Sequence, residues 1–289
     1  IYFIIMKTPL NLTPDKNIDI GTVSSFGDEW SRFSQSKLSN SELNSIFNDY
    51  FEIFPWDDLP INAEGFDMGC GSGRWASLVL PRVGHLNCID PSSAINVARC
   101  NLSNFTNVSF HENSVCEKFI PPSSQDFGYS LGVLHHVPDT VGAIKSCVDL
   151  LKPGAPLLLY LYYRFDNRPF FYKAIWAISD TIRNLIYRSP PRVKNLLTDF
   201  IAITVYYPLS LMSFILEKFG IDVHNIPLSY YRNCSFYTIR TDSRDRFGTP
   251  LEKRFSKLQI KDMMIESGLH NIVFSDKQPY WCAVGYKKK

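Results

Sequence analysis

Apolar positions along this chain change period, and the changes mark its layout. Phe26, Trp30 and Phe33 stand four and three residues apart, which puts three large aromatics on one helix face. Residues 41–54 continue in the same period, with Leu43, Ile46, Phe47, Tyr50, Phe51 and Phe54 inward and Ser41 as the expected N-cap. Residues 11–25 before them are polar, rich in turn formers, and read as an irregular arm. Pro55 and Pro60 then punctuate the chain. From Ala63 short apolar runs alternate with helical segments. Strands are expected to end at Met68 and to occupy 86–89, 108–110, 126–131 and 156–162, with helices after the first, through Asn101 behind a Ser92 or Ser93 cap, and over 140–150. This alternation predicts an α/β fold with a mostly parallel sheet. Near the end, Ser256 caps a helix through Ser267, Gly268 stops it, and 272–274 with 280–286 read as an antiparallel pair.

The alternation is broken over 165–241. Phe170, Phe171, Ala174, Ile175, Ile178, Ile182, Leu185 and Ile186 recur at helical spacing, and a second apolar run covers 196–219. That run approaches bilayer length but is interrupted by Asp199, Thr204, Pro208 and Glu217. Two readings stand: a helical cap packed over the strand ends, or a monotopic membrane contact, since Arg183, Arg188, Arg192 and Lys194 cluster between the two runs.

The first strand leads into Phe66-Asp67-Met68-Gly69-Cys70-Gly71-Ser72-Gly73-Arg74-Trp75-Ala76. Glycine at every second position suits a tight turn that a ligand approaches at the main chain, followed by a helix start with free N–H groups. Gly71, Gly73 and Ala76 also satisfy the dinucleotide pattern, so a nicotinamide enzyme is one reading. Asp67 before the glycines and Asp90 at the end of the next strand favour another ligand, one that carries an amine and a ribose.

Asp67 to Gly73, then Asp90-Pro91-Ser92, the segment 126–139 with its Leu131-Gly132-Val133-Leu134-His135-His136, and Leu151-Lys152-Pro153-Gly154 resemble, in this order, a class I S-adenosylmethionine-dependent methyltransferase. The similarity is greatest to the small-molecule branch that includes the ubiquinone/menaquinone methyltransferases, and it covers roughly 60–163 and, more weakly, 245–287. It implies a Rossmann-like class I methyltransferase fold with N-terminal helices and a helical cap insertion. The implied divisions are 1–59, an S-adenosylmethionine-binding core at 60–164, the cap at 165–241, and the end of the core at 242–289. It also implies S-adenosyl-L-methionine as cofactor, with Asp67, Gly69, Gly71 and Gly73 on its methionine portion and Asp90 on its ribose. Ser92 and Ser114 fall near adenine, and Cys70, Pro91, Val115, Leu131 and Gly132 lie alongside. Ser114 departs from the aspartate common there, although a hydroxyl still accepts the adenine amine's hydrogen bond. The linker 245–250 looks like one that contacts substrate in relatives.

In-line methyl transfer asks for alignment, a dry site and a base. His135 and His136 follow the fourth strand; either one removes the acceptor's proton, or the pair orients its loop. Asp139 reads as a helix cap. Trp30 either packs on the core or closes over the ligand. Tyr162, Arg164, Tyr231, Arg232 and Tyr237 are candidates for a substrate pocket that combines aromatic rings with guanidinium groups. The remaining histidines show no metal-ligand spacing. Neither an acidic metal cluster nor an Asn-Pro-Pro-Tyr amide motif follows the fourth strand.

Composition narrows this further. The chain of 289 residues is 45% hydrophobic, ample for a core, and its net charge of +2 lacks the basic excess of a nucleic-acid protein. The expected partner is therefore a small or lipid-linked molecule, with an RNA methyltransferase or a catalytically silent binding module as alternatives. Seven cysteines without a C-x-x-C pair read as reduced thiols in a cytoplasmic protein. The apolar run at 1–5 is too short for a signal-peptide core, and Met6 is a candidate start.

Overall fold

The computed structural model describes residues 12–35 and 37–289; the expectations for 1–5 and Met6 lie outside them. The arm is ordered: β1 (Leu12–Thr13) and β2 (Ile18–Asp19) form a small hairpin. Helix α1 (Ile20–Arg32) starts well before the expected Phe26, because the Asp19 carboxylate accepts from the Thr22 N–H at 2.9 Å and caps it. Helix α2 (Asn40–Phe51) is capped by Ser39, not Ser41, and ends three residues before Phe54.

The core then alternates as expected: β3 (Glu64–Met68), α3 (Ala76–Val79), β4 (His85–Ile89), α4 (Ala94–Asn101), β5 (Val108–His111), β6 (Phe127–Leu131), α5 (Thr140–Leu150) and β7 (Pro156–Tyr160). Asp139 does cap α5, accepting from the Gly142 N–H. Helices α6 (Phe170–Ile186) and α7 (Pro191–Ile201) follow, and a π-helical turn over Ala202–Tyr206 joins α7 to α8 (Tyr207–Lys218). Helix α9 (Phe236–Gly248) runs straight through position 241, so 245–248 are its last turn and not a linker. A full capping box opens α10 (Lys257–Glu266), and β8 (Leu269–Phe274) and β9 (Cys282–Lys287) close the chain.

Seven strands form one sheet in the order β5-β4-β3-β6-β7-β9-β8. The first five are parallel, and β9 is antiparallel to both β7 and β8. The chain steps outward from β3 to β5, then restarts at β6 on the other side. The carboxyl ends of β3, β4 and β6 therefore flank the switch point where ligands bind in such sheets. Alternate side chains serve two cores: Phe127, Tyr129 and Leu131 meet α2, α3 and α4, while Leu157, Leu159 and Leu161 meet α5 and α10.

The central strands are locked by a reciprocal fit. Gly65 pairs with Phe127 and Phe66 with Gly128, and each ring lies over the opposite glycine. A Cβ on Gly128 would stand 2.2 Å from the Phe66 ring.

The cap is inverted relative to an ordinary packed helix layer. Of the α6 apolar positions that recur at helical spacing only Ile186 is buried; Phe170 is 86% exposed, and Ile178 and Leu185 are exposed with it. The sides turned to the core are largely polar: Arg183 on α6, Lys194 and Thr198 on α7, and Ser210 and Ser213 on α8 are buried, beside a small apolar cluster of Ile186, Ala202 and Tyr206 against Ile239 and Phe247. Asp199 receives Arg32 and Arg240, Ser243 Oγ donates to the Thr198 carbonyl, and Lys194 donates to the Gly248 carbonyl.

Overpacking the central strand pair should cost about 1–3 kcal/mol. Gly128→Ala is expected to lower the urea midpoint with an unchanged slope, whereas a wild-type midpoint would mean that the Phe66 ring is free to move aside.

Candidate active site

The glycine loop starts where β3 ends. Gly69 (φ +82°) and Gly71 (φ +54°) take left-handed conformations that other residues adopt at a cost. The loop is tied to the neighbouring strand by Asp90. One carboxylate oxygen accepts from the Gly71 N–H at 3.0 Å, and the other from the Ser92 N–H at 2.9 Å and its hydroxyl at 2.6 Å. Burial raises the pKa of Asp90, and the Ser92 and Gly71 hydrogen bonds pull it back. Trp30 from α1 lies over the loop: a Cβ on Gly71 would touch its indole at 3.0 Å. The Arg74 guanidinium sits over the Trp75 ring, 4.2 Å from its centroid, and 5.6 Å from that of Trp30.

A cavity of about 650 Å³ opens from this loop and runs beneath the cap. It brings together Gly69, Cys70, Gly71, Asp90, Pro91, Ser92, Leu131, Gly132, His136, Trp30, Tyr162 and Tyr231 from the sequence-derived set. The others stand off it. Asp67 is only 1% exposed, behind the loop, with one carboxylate oxygen unpartnered; burial pushes its pKa up to about 8, against the Tyr129 hydroxyl. Gly73 packs on Ala98 and Leu102. Ser114 and Val115 are buried, with the Ser114 N–H given to Glu117. Arg164 is exposed, Arg232 pairs with Glu217, and Tyr237 stacks edge-on against Phe33 outside the cavity.

The two histidines differ. His135 is fully buried off the cavity, and its Nδ1 accepts from the Tyr162 N–H at 3.4 Å, so its proton sits on Nε2. Burial drives its pKa well down and keeps it neutral. His136 lines the cavity and hands its Nδ1 proton to the Leu251 carbonyl at 2.6 Å. Its Nε2 stands 3.9 Å from Oδ1 of Asp245, whose other oxygen accepts the Tyr162 hydroxyl.

Beyond Asp90, sequence reasoning missed Glu29 and Asp242, and it reached Asp245 only as part of the substrate-contacting segment 245–250. Glu29 from α1, and Asp242 and Asp245 from α9, all line the cavity. Burial raises each of them, Asp242 to about 6 and Glu29 well above the usual range. The available signal was spacing: 242 and 245 are three apart and share one helix face. Arg168 and Arg254, rather than Arg164 and Arg232, bring guanidinium groups to the wall.

A nucleoside sulfonium fits these residues. Two left-handed glycines leave main chain open to an approaching ligand, a buried carboxylate closes the adjacent strand, an aromatic lid covers both, and the unpartnered Asp67 oxygen lies beneath.

Comparisons with known proteins agree. Residues 66–159 match the family model described as a methyltransferase domain. The chain is 29% identical over 154 residues to a ubiquinone biosynthesis O-methyltransferase of Hahella chejuensis, aligning 50% of this chain with 63% of that protein. It is 32% identical over 142 residues to the protein of the same description in Xanthomonas campestris, 48% of this chain against 56% of that one. The chain thus spans less than two thirds of either relative. In fold it is similar to an O-methyltransferase family protein from Burkholderia thailandensis, with TM-score 0.51 at 14% identity, covering 91% of this chain and 59% of that one. The CurJ carbon methyltransferase gives the same TM-score and identity, with 92% and 60% covered. Residues 66–159 of this chain are thus similar in sequence to methyltransferase domains, and the whole shares their fold.

Proposed function

We propose that this protein moves a methyl group from S-adenosylmethionine to an O, N or C atom of a small, lipid-linked or sugar-linked metabolite. The observation that carries the reading is the Asp90-tethered glycine loop at the switch point, opening onto a largely aromatic cavity. Asp90 and the main chain of 69–71 hold the ribose and methionine portions, with Asp67 in support. Leu131, Gly132, Pro91 and Ser92 shape the rest of that end. The cofactor, when bound, supplies an electrophilic methyl; the protein excludes water with Trp30 and Phe26 and aligns the acceptor against Tyr162 and Tyr231. An oxygen acceptor agrees with the O-methyltransferases among the relatives. In this reading 60–164 and 242–289 form the catalytic body and 165–241 the cap, with α9 starting in the cap and carrying its last turn into the body.

The exposed face of the cap favours contact with a lipid bilayer. The helical run Pro191–Lys218 contains an 18-residue window with a mean hydropathy of 1.6, only 22% of it buried. Leu196 and Phe200 project from α7 at 71% and 62% exposure, and Arg188 and Arg192 flank the run. Its inner side is bonded to α9 through Lys194, Thr198 and Asp199, so the run lies on a membrane surface and does not cross it.

Calorimetry with S-adenosylmethionine, and NADH as control, tests the activity. Wild-type protein is expected to bind the sulfonium alone. Asp90→Ala is expected to weaken binding by on the order of 100-fold, as loss of a charged hydrogen-bonding group costs about 1.5–3 kcal/mol. Binding by NADH, or unchanged affinity in Asp90→Ala, contradicts the reading; label transfer from methyl-tritiated cofactor to a metabolite panel then identifies the acceptor.

Flotation with phosphatidylglycerol/phosphatidylcholine vesicles tests the surface. Each large apolar side chain inserted contributes about 1.5 kcal/mol or more, so the double change Leu196→Asp, Phe200→Asp should weaken partition at least about 100-fold. Wild-type protein left at the bottom of the gradient, or a double variant that floats equally, removes the membrane reading.

A further inference from the structure

We propose that Asp245, carried into the cavity by cap helix α9, is the proton acceptor of the reaction, with His136 and Tyr162 as its positioning residues. The proposal rests on the methyltransferase reading above and names a residue that reading does not need.

The geometry forces a proton onto the pair. His136 donates through Nδ1 to Leu251, so its neutral ring presents a bare lone pair at Nε2. That lone pair faces Oδ1 of Asp245 at 3.9 Å, and both atoms are buried without another hydrogen-bond partner. A lone pair turned to a carboxylate in a dry site is repulsive, so one proton is retained between the two residues. The second oxygen of Asp245 accepts the Tyr162 hydroxyl, and the Asp245 side chain keeps 21% exposure, against 3% for His136. Both residues line the cavity, and Asp245 is the more exposed of the two.

The surrounding charges decide its behaviour. Glu252 is paired with Arg246 at 3.1 Å and Arg254 at 2.8 Å, and Arg183 with Asp180 at 2.8 Å, so three guanidinium groups share two carboxylates. Glu29 on α1 and Asp242 on α9 are further acids facing the same space, and His135 behind His136 stays neutral. Burial raises the Asp245 pKa, opposed by His136, the Tyr162 hydrogen bond and Arg246, with Glu252 adding to the rise. Such a carboxylate is a stronger base than an exposed one, while burial lowers the His136 pKa against the pull of Asp245.

The step balances. The acceptor's lone pair forms a bond to the sulfonium methyl carbon as the carbon–sulfur bond breaks with its electron pair left on sulfur. The acceptor's proton passes to the Asp245 carboxylate, giving methylated acceptor, neutral thioether and carboxylic acid.

Nitrogen-15 NMR of histidine-labelled full-length protein is the first measurement. His136 is expected to carry its proton on Nδ1 when neutral, and Asp245→Asn should lower its titration by about one pH unit, a tenfold loss of proton affinity, by removing the facing anion. With the acceptor found by label transfer, the rate should fall as pH drops through the Asp245 pKa. Tyr162→Phe should move that limb to higher pH by removing a hydrogen bond to the ionised form, Asp245→Glu should restore it in part, and Asp245→Asn should abolish it. Cofactor binding by Asp245→Asn at wild-type strength confirms an intact fold. A His136 titration unmoved by Asp245→Asn overturns the proposal, as does an acidic limb that survives it. Failure of every form to bind S-adenosylmethionine would instead sink the methyltransferase reading, while the titration still reports on the pair.

Discussion

The Asp90 carboxylate is the tie on which the site depends. It bonds one strand end to the loop that follows another, through the Gly71 N–H on one oxygen and Ser92 on the other. Burying a charge is costly unless donors surround it, and here three donors do so within the fold itself. The loop consequently has its shape before any ligand arrives, which lowers the ordering cost of binding. Trp30 can rest on Gly71 only because the loop is held in that place and has no side chain there.

The same need for satisfied polar groups explains the cap. Its inner side must meet α9, whose own buried positions include Thr238, Thr241, Ser243 and Arg244. Arg244 is almost fully buried and bonds Ser25 from α1 and Asn195 from α7, joining three helices through one guanidinium. A polar interior of this kind gains specificity of seating in place of hydrophobic burial. It leaves the apolar residues of α6, α7 and α8 on the outside, an arrangement that makes sense for a surface in contact with something as apolar as itself.

The parallel core was legible because both of its signals are local. Strand and helix periods, the glycine loop and the Asp139 and Ser256 caps each declare themselves within a few residues, and all fall where expected. The cap was legible as helix but not in orientation, since period gives an apolar face without saying what it faces. Ser39 beat Ser41 as a cap because both are chemically suitable and only backbone geometry separates them. Of the site, most residues contributed by the loop and strand ends converge on the cavity, with Asp67, Gly73, Ser114, Val115 and His135 behind it, while Arg164, Arg232 and Tyr237 lie away from it. Their neighbours Arg168, Arg254 and Tyr230 take those places, a choice made by tertiary packing alone. Glu29 and Asp242 were hidden for the same reason, as an acid on a helix reads as solvated until its neighbours are known.

The division of the acid–base groups between body and cap has a mechanical consequence. His136 and Tyr162 belong to strand ends of the sheet, whereas Asp245 belongs to α9, which is bonded to α7 through Ser243 and Arg240. The 3.9 Å between Nε2 and Oδ1 exceeds a hydrogen bond of about 3 Å, so a small inward shift of α9 would complete the contact. The Tyr162 hydroxyl and the Leu251 carbonyl hold the two partners in line while it does so. On the proposed reading, the seating of the cap and the readiness of the proton acceptor are then one event. A surface that presses on α7 would act on the chemistry through a single helix.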